Sequence, residues 1–505
     1  MTSKKTGGGG VTSAIFTRSH HFYNDGIACD ILTFDYNPDY DKTISDLKSK
    51  GKMDARTKMI NMFDYFGNKS SQTRNTANTY NAKYFLNELS ILHSERCHLK
   101  KTDTIHHSEC MNLKLLVDSA HNYYLPNGEL KYYARYENDR LLLIDCFMKG
   151  KRDKRIIFKN GLIKTIEYFN DENKIYGDVL FDKKGYPFIT RDIIINDKGQ
   201  PGIYNITLLD NHTKFENKTL FSRYFLDTLI ADSHPHALIC DGMGNFSKIL
   251  NLTQPIKKYA VIHSHHCPSG IPNQNHASAF KHAKELDGII ILTNKQKENI
   301  HTEYGVNNLM VIPNFININQ NTPSPLPQKQ TIGHISRLAG SKGLERLVDI
   351  IDKLRLQLPD VVLKLFGTGP LEMKLKTLVR ERNLEKHILF CGYTNNARQE
   401  IQNFDCVVST SFSEGFGLSI AEAMEQGRPV VAFDVDYGPS ALIENDVSGI
   451  LINDGDIQSF ADALVKLLTN DELAKKMGAN ARQKIHQELH HNLIMNLWKQ
   501  ILNIS

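Results

Sequence analysis

The 505-residue sequence predicts an α/β protein with two doubly wound domains and an antiparallel all-β insertion in the first of them. Apolar strand patterns alternate with helical patterns near the N-terminus and again from about Thr219 to the end, which is typical of α/β domains. Between Leu113 and Ile195, short runs of alternating polarity are separated by turn residues, which indicates an antiparallel meander. A segment rich in proline and polar residues, INQNTPSPLPQKQ (318–330), separates the two α/β parts.

Each predicted element has its own sequence pattern. The helical pattern VTSAIFTRSHHFYND precedes the strand pattern ACDILTF, and after the insertion the chain continues with short apolar strands such as ALIC and KYAVIH. Beyond the linker, strands such as TIGHIS alternate with amphipathic helices. We therefore expect an N-terminal Rossmann-like domain at 1–75 and 216–317, a β-rich insertion at 76–215, a linker at 318–330, a C-terminal Rossmann-like domain at 331–485 and a C-terminal helix at 486–505.

Composition and charge exclude several classes of protein. The formal net charge of +5 is too small for a dedicated nucleic-acid binder, although it is compatible with an anionic substrate. No apolar run reaches the roughly 18 residues of a transmembrane helix, and the start MTSKKTGGGG contains no apolar signal segment. The eight cysteines are scattered without a CxxC pair, which indicates reduced thiols. We expect a cytoplasmic protein with no nucleic-acid partner and at most a peripheral membrane association.

The segment STSFSEGFGLSIAEAM (409–424) carries two carboxylates, Glu414 and Glu422, around a glycine-punctuated turn. The glycines predict that a helix begins near Leu418, which leaves Glu414 in the loop after a strand, where open α/β sheets bind ligands. A carboxylate there can accept hydrogen bonds from sugar hydroxyls, and one at the helix start can bind a ribose diol. Free N–H groups at the helix start can hold a diphosphate. The alternative is an acidic residue that only complements the helix dipole.

The segment GHISRLAGSKG (333–343) places Arg337 and Lys342 in the loop after the first strand of the C-terminal domain. Two cations at the carboxyl end of a strand suit a diphosphate, with arginine as a fork and lysine as a point charge. The alternative is a basic pair on a solvated loop.

Two segments of the N-terminal domain are further candidates. GGGGVTSAIF (7–16) is a glycine loop that opens a helix and can approach an anion, or else is a flexible linker. VIHSHHC (261–267) places three histidines after an apolar strand, but their spacing does not favour zinc. One of these histidines suits a sugar hydroxyl better. The candidates for a DxD metal site, Asp434–Asp436 and Asp454–Asp456, are interpreted as turn acids, so we expect no metal.

Taken together, RLAGSK, FSEGFGLSIAEAM and VIHSHH resemble the retaining, nucleotide-sugar-dependent glycosyltransferases of family 4, which have the GT-B fold. GKMDARTKMINMFDYF (51–66), the β-rich insertion and KYAVIHSHH are similar to one branch, the bacterial wall teichoic acid α-glycosyltransferases. The resemblance implies transfer of N-acetylglucosamine or glucose from a UDP-sugar onto poly(ribitol phosphate) or poly(glycerol phosphate). It also implies a homo-oligomer, typically a trimer, formed through the β insertion.

The resemblance also implies a role for each matching position. Arg337 and Lys342 would neutralise the leaving diphosphate of UDP without a metal cofactor, and Glu414 would contact the donor sugar. His263 would touch the donor sugar from the N-terminal domain. The positions expected to bind the donor nucleotide or its phosphates are Gly9, Gly10, Gly415, Phe416, Gly417, Leu418 and Glu422.

The start MTSKKT departs from the family, in which a hydrophobic first strand precedes the glycine loop. We therefore expect either that the start is truncated or modified, or that the first domain lacks this strand. Two other functions stay open at this point. In the first, the chain is a glycosyltransferase of the same family whose acceptor is a protein, such as a serine-rich adhesin. In the second, the chain binds a sugar polymer without catalysis.

Overall fold

The computed structural model describes residues 10–73, 101–103, 119–124, 127–138, 140–197, 199–319, 326–327 and 330–504. Gly9, the rest of the glycine-rich start, much of the first half of the β insertion and most of the linker lie outside the described residues. Within the described part, the chain forms two α/β domains and one large antiparallel sheet.

The N-terminal domain begins with a helix that starts at Gly10, one residue before the predicted pattern. A two-stranded parallel sheet follows, in which Ile31 pairs with Met59. Phe16 of the first helix and Leu47 of the second pack with Ile31 of this small sheet in one buried cluster. The elements of this first part are α1 (Gly10–Asn24), β1 (Ile31–Thr33), α2 (Tyr40–Ser49), β2 (Met59–Asn61) and α3 (Met62–Thr73).

The insertion is a ten-stranded antiparallel sheet whose strands are neighbours in chain order, as a meander requires. Short turns connect the strands from β6 to β10, and several turn residues, such as Asn160 and Gly161, adopt positive φ angles. This sheet confirms the predicted antiparallel insertion. Its strands are β3 (Lys101–Asp103), β4 (Ser119–Tyr124), β5 (Leu130–Glu137), β6 (Arg140–Met148), β7 (Lys151–Lys159), β8 (Leu162–Phe169), β9 (Ile175–Phe181), β10 (Pro187–Ile195), β11 (Pro201–Leu208) and β12 (Thr213–Asn217).

The second part of the N-terminal domain is a four-stranded parallel sheet in the order β13-β14-β15-β16. Among the described strands, β1 pairs only with β2 and β13 only with β14, so the domain contains two separate sheets over one shared core. The elements are α4 (Lys218–Ser233), β13 (Ala237–Cys240), α5 (Phe246–Ile249), β14 (Lys257–Ile262), α6 (Gln274–Lys281), β15 (Gly288–Ile291), α7 (Asn294–Tyr304) and β16 (Leu309–Val311).

The C-terminal domain is a six-stranded parallel sheet in the order β19-β18-β17-β20-β21-β22, with helices on both faces. The chain order reverses next to β17, and ligands of such sheets bind at this switch point. The elements are β17 (Thr331–Ile335), α8 (Leu344–Leu354), β18 (Val362–Phe366), α9 (Glu372–Glu381), β19 (Ile388–Gly392), α10 (Ala397–Ile401), β20 (Cys406–Ser409), α11 (Leu418–Glu425), β21 (Val430–Asp434), α12 (Gly438–Leu442), β22 (Ile450–Asn453), α13 (Ile457–Leu468) and α14 (Asp471–Glu488).

The last helix, α15 (His491–Leu502), crosses back to the N-terminal domain. The ring of Trp498 packs at 5.5 Å from that of Phe22 in α1, and the hydroxyl of Tyr259 in β14 donates to the carbonyl oxygen of Ile501 at 2.5 Å. One buried cluster joins residues of both domains to this helix, including Phe416. The domains are therefore held in contact by α15. None of the helices in the described ranges is both long and apolar enough to cross a bilayer.

Candidate active site

The loops that follow β17 and β20 bring Lys342 and Glu414 together. Nζ of Lys342 donates to Oε1 of Glu414 at 2.5 Å. Gly343 allows this approach, because its φ is +59° and a Cβ at this position would lie 2.0 Å from the carbonyl oxygen of Thr410. A cation and a carboxylate from opposite sides of the switch point are thus in direct contact.

Both the side chain and the backbone of Glu414 are fixed by hydrogen bonds. The hydroxyl of Ser411 donates to Oε1 at 2.7 Å. The N–H of Glu414 donates to the carbonyl oxygen of Asp436 at 2.8 Å, and its own carbonyl accepts from the N–H groups of Tyr437 and Gly438. The loops after β20 and β21 are therefore joined by main-chain hydrogen bonds, and these bonds, together with Ser411, fix the orientation of Glu414.

Helix α11 begins at Leu418, as the sequence predicts. Gly417 precedes it in the left-handed region with φ of +87°, and Phe416 is buried in the cluster that joins the domains. Cδ1 of Leu418 lies 3.7 Å from the position that a Cβ on Gly10 would occupy. The start of α1 and the start of α11 therefore face each other across the cleft.

Glu422 lies one turn into α11, and its carboxylate has no hydrogen bond or ion pair within the described chain. Burial raises its pKa to about 7, Arg398 acts in the opposite direction, and Glu425 adds to the rise. A carboxylate of this kind gains most from hydrogen-bond donors on a ligand, such as the two hydroxyls of a ribose.

The Glu414 loop touches the N-terminal domain at Gly415. A Cβ on Gly415 would lie 2.2 Å from the carbonyl oxygen of His263 and 2.9 Å from Cα of Ser264. Only glycine fits this approach without moving one of the two backbones. The loop that carries Glu414 therefore lies directly against the end of β14, the strand that His263 follows.

His263 is held by a buried ionic network. Its Nε2–H donates to Oδ1 of Asp241 at 2.8 Å, and the guanidinium of Arg18 in α1 donates to both carboxylate oxygens. Burial by itself would raise the pKa of Asp241, but the charge of Arg18 and the hydrogen bond from His263 hold it well below its usual range. Arg18 also lies 5.1 Å above the ring of Trp498. This network fixes the orientation of the His263 ring.

The other two histidines of the motif contact the C-terminal domain. The ring of Tyr437 lies 4.6 Å from that of His265 and stacks at 5.8 Å on that of His266. Next to it, Asp436 pairs with Nζ of Lys295 at 2.6 Å. Burial, and then His266, lower the pKa of His265, whereas Asp436 acts in the opposite direction, and Nδ1 of His265 accepts from the N–H of Cys267 at 2.9 Å. We give the name interdomain latch to His265, His266, Lys295, Asp436 and Tyr437.

Arg337 is exposed on the loop after β17, and its guanidinium makes no ion pair with the part of the chain that the structure describes. Among the described contacts, no hydrogen bond or ion pair joins Arg337 to Lys342 or Glu414. Under this loop lies His334, whose Nδ1 is 2.9 Å from the carbonyl oxygen of Val408. Burial lowers the pKa of His334 to about 4, so the His334 ring under the loop is uncharged at neutral pH. Arg337 is therefore a cation at the strand end whose charge is not neutralised by a described partner.

No three histidine, cysteine, aspartate or glutamate side chains gather as a metal site within the described ranges. Three of the four acidic residues in these two DxD pairs have other partners: Asp436 pairs with Lys295, Asp454 pairs with Arg346 and Asp456 caps α13. That the reaction needs no metal stays a prediction.

Sequence reasoning missed Arg18, Asp241 and Tyr437. Asp241 could have been identified from the sequence, because it follows the strand ALIC as His263 follows KYAVI. The carboxyl ends of neighbouring parallel strands lie at the same edge of a sheet. The roles of Arg18 and Tyr437 depend on how helices and domains pack, for which the sequence gives no signal.

Comparison with known proteins now identifies the family. The profile described as "Glycosyl transferases group 1" matches residues 317–484. The chain is 35% identical over 501 residues to the poly(ribitol-phosphate) alpha-N-acetylglucosaminyltransferase of Staphylococcus aureus (strain COL), an alignment that covers 98% of this chain and 97% of that protein. This chain belongs to the wall teichoic acid α-glycosyltransferases. Another relative, the poly(glycerol-phosphate) alpha-glucosyltransferase of Bacillus subtilis (strain 168), is 25% identical over 98% of this chain and 73% of its own length.

Solved structures agree with this assignment. The crystal structure of TarM has a TM-score of 0.88 and 33% identity, and the match covers 100% of this chain and 97% of that one. A TarM variant from S. aureus, solved with fondaparinux, alpha-GlcNAc-glycerol and UDP, gives the same TM-score at 32% identity and covers 98% of that chain. The predicted GT-B fold with a β insertion is confirmed, and the protein is a glycosyltransferase.

Proposed function

We propose that this protein transfers N-acetylglucosamine or glucose from a UDP-sugar onto the polyol-phosphate chain of wall teichoic acid, with retention and in α linkage. The contact between Lys342 and Glu414, beside the end of β14 where His263 is anchored, is the observation that carries the proposal. The identity of 35% to a poly(ribitol-phosphate) alpha-N-acetylglucosaminyltransferase over nearly the whole of both chains supports the class of acceptor.

Each candidate residue has a defined task in this reaction. Arg337 and Lys342 stabilise the negative charge that grows on the diphosphate as UDP departs, a contribution that is larger in the transition state than in the ground state. Glu414 binds hydroxyls of the donor sugar from the C-terminal side, and His263 does so from the N-terminal side. Because two cations serve the diphosphate, we infer that no metal ion is needed.

The donor nucleotide and its phosphates are bound by backbone and carboxylate groups around α11. Glu422 accepts hydrogen bonds from the ribose hydroxyls. Gly10, the first residue of α1, lies near Leu418, the first residue of α11, and N–H groups at these two helix starts bind the phosphates. Gly9, which lies outside the described residues, is proposed to take part in the same contact.

The β sheet supports a homo-oligomer, which we propose to be a trimer. Five large apolar side chains are exposed at one end of the sheet formed by strands β6–β11: Met148, Tyr176, Ile194, Ile195 and Tyr204, each between 40% and 60% exposed. We call this group the apolar sheet end. Exposed large apolar side chains grouped on one part of a protein are typical of protein–protein interfaces.

We further propose that the protein works in the cytoplasm at the inner face of the membrane. The six described cysteines are all free thiols, which fits a reducing compartment.

A transfer assay tests the proposed function. Wild-type protein is incubated with UDP-N-acetylglucosamine or UDP-glucose and with poly(ribitol phosphate), poly(glycerol phosphate) or a serine-rich peptide, and the product mass is measured. We expect sugar on a polyol-phosphate polymer and none on the peptide. Lys342→Ala and Glu414→Ala should each reduce the transfer rate about 10²–10³-fold, because each removes a group that acts in the transition state.

A matched control removes a lysine from an ion pair outside the cleft. Lys376→Ala breaks the partly exposed pair with Glu372 on α9 and should leave the transfer rate unchanged. Transfer to the peptide alone, or equal rates for wild type, Lys342→Ala and Glu414→Ala, would refute the proposal.

A further inference from the structure

Two lysines meet at the N-terminal side of the cleft and share a single carboxylate. Nζ of Lys218, the first residue of α4, donates to Oδ1 of Asp35. Nζ of Lys248 in α5 donates to Oδ1 of Asn245 at 2.6 Å and lies 4.1 Å above the ring of Phe34. All of these side chains are partly buried, which distinguishes them from freely solvated surface lysines.

The pair lies at the carboxyl edge of the N-terminal sheets. Asp35 follows β1, and Asn245 follows β13 by a short turn. The charge of Lys248 acts on the thiol of Cys240, the residue directly before Asp241, which holds His263. The two lysines are therefore on the same edge as His263, on the side of the cleft opposite to Lys342 and Glu414.

The local charge balance leaves an excess of positive charge. Burial, and then the charge of Lys218, lower the pKa of Lys248 to about 8, and Asp35 acts in the opposite direction. Lys218 occupies the first turn of α4, where the helix dipole disfavours a cation. Asp35 offsets one of the two lysine charges, so a bound anion would offset the second.

We propose that Lys218 and Lys248 bind a phosphodiester of the acceptor polymer and so place a polyol hydroxyl beside the donor sugar. This inference rests on the proposed function and extends it to the acceptor side of the cleft. A polyol-phosphate chain carries one anion between successive polyols, so a contact with one phosphate fixes the position of the neighbouring hydroxyls. Lysine binds phosphate as a compact charge, without demanding one orientation of the chain.

Acceptor kinetics of Lys218→Gln and Lys248→Gln test this site. Each substitution should raise the KM for poly(ribitol phosphate) about tenfold, the effect of losing a charge-assisted hydrogen bond to a phosphate. The KM for the UDP-sugar, and the rate of UDP-sugar hydrolysis without acceptor, should stay within about twofold of wild type, because the donor site is intact. Lys248→Arg keeps the charge and should recover most of the acceptor affinity. Lys281→Gln, at the exposed end of α6, is the matched control.

A second acceptor separates phosphate binding from a structural role. Free ribitol has the hydroxyls of the polymer but no phosphate, so the variants and wild type should use it equally poorly. An unchanged KM for the polymer in both variants, or an equal loss with ribitol and polymer together with a lower melting temperature, would overturn the inference. If wild type fails to glycosylate any polyol-phosphate polymer, the proposed function itself is wrong, which is a different result.

Discussion

At the scale of single residues, Glu422 combines burial with the lack of a described hydrogen-bond donor. Its pKa of about 7 is above the usual value of 4.5 because burial disfavours the charged form. The folded protein therefore binds this proton more tightly than the unfolded chain does. The ionisation of Glu422 therefore lowers the free energy of unfolding as the pH rises from 4.5 towards 7. Glu422→Gln should remove this part of the pH dependence of stability.

If Glu422 binds the ribose as proposed, the same proton governs donor binding. Only the ionised carboxylate accepts hydrogen bonds from both ribose hydroxyls, and its ionised fraction changes from about a tenth at pH 6 to about nine tenths at pH 8. We expect the KM for the UDP-sugar to be several-fold higher at pH 6 than at pH 8 in wild type. Steady-state kinetics across this range measure it. Glu422→Gln should weaken binding at pH 8 and flatten the profile; an undiminished pH dependence in this variant would contradict the role.

At the scale of elements, the loop between β20 and α11 depends on a glycine at its point of contact with β14. Gly415→Ala would force a Cβ against the carbonyl group of His263 and separate Glu414 from the N-terminal domain. A displacement of about 1 Å at a reacting centre can cost about 100-fold in rate. We therefore expect kcat/KM for transfer to fall by about this factor, while the melting temperature changes little.

A control substitution distinguishes this clash from a general effect of adding a methyl group. A Cβ on Gly67, in α3, would meet its nearest neighbours at 3.5 Å, an ordinary contact. Gly67→Ala should leave transfer intact. Wild-type kinetics in Gly415→Ala would show that the two domains do not need this close approach.

The elements themselves were largely predictable, because their signals are local. Gly417 marks the start of α11, and turn residues such as Asn160 and Gly161 mark the antiparallel meander. The pairing of Lys342 with Glu414 also follows from local rules, since both lie at the carboxyl ends of neighbouring parallel strands. The anchoring of His263 by Arg18 was not predictable. It depends on the angle at which α1 packs on the sheet, and no local pattern encodes that angle.

At the scale of the whole molecule, the apolar sheet end carries the predicted oligomer. Ile194→Asp combined with Tyr204→Asp places two charges on a surface that we expect to be buried between subunits. Light scattering after gel filtration should give about three times the chain mass of 57.4 kDa for wild type and the single mass for the double variant. Melting temperatures should be compared at equal protein concentration.

An exposed leucine far from the sheet provides the control for this experiment. Leu356, which follows α8 in the C-terminal domain, is 79% exposed, and Leu356→Asp should keep the wild-type mass. A monomeric wild type, or a double variant that retains its assembly, would exclude an interface at the apolar sheet end.

Long-range placement was the least predictable aspect of the fold. The amphipathic pattern at 486–505 indicated a helix, but not that α15 would return to α1. Nδ1 of His491 lies 2.8 Å from Nδ1 of His21, and Lys499 pairs with Asp25, across more than 400 residues of chain. Such contacts follow from the packing of two finished domains, which the sequence does not encode locally.

The interdomain latch has a consequence for turnover. Asp436 and Tyr437 bind the N-terminal domain through their side chains and bind the backbone of Glu414 through their own main chain. If the two domains separate to release UDP, the loss of these contacts would also displace Glu414 from the position proposed for sugar binding. Product release and loss of the catalytic arrangement would then occur together, and the open conformation would hydrolyse little UDP-sugar.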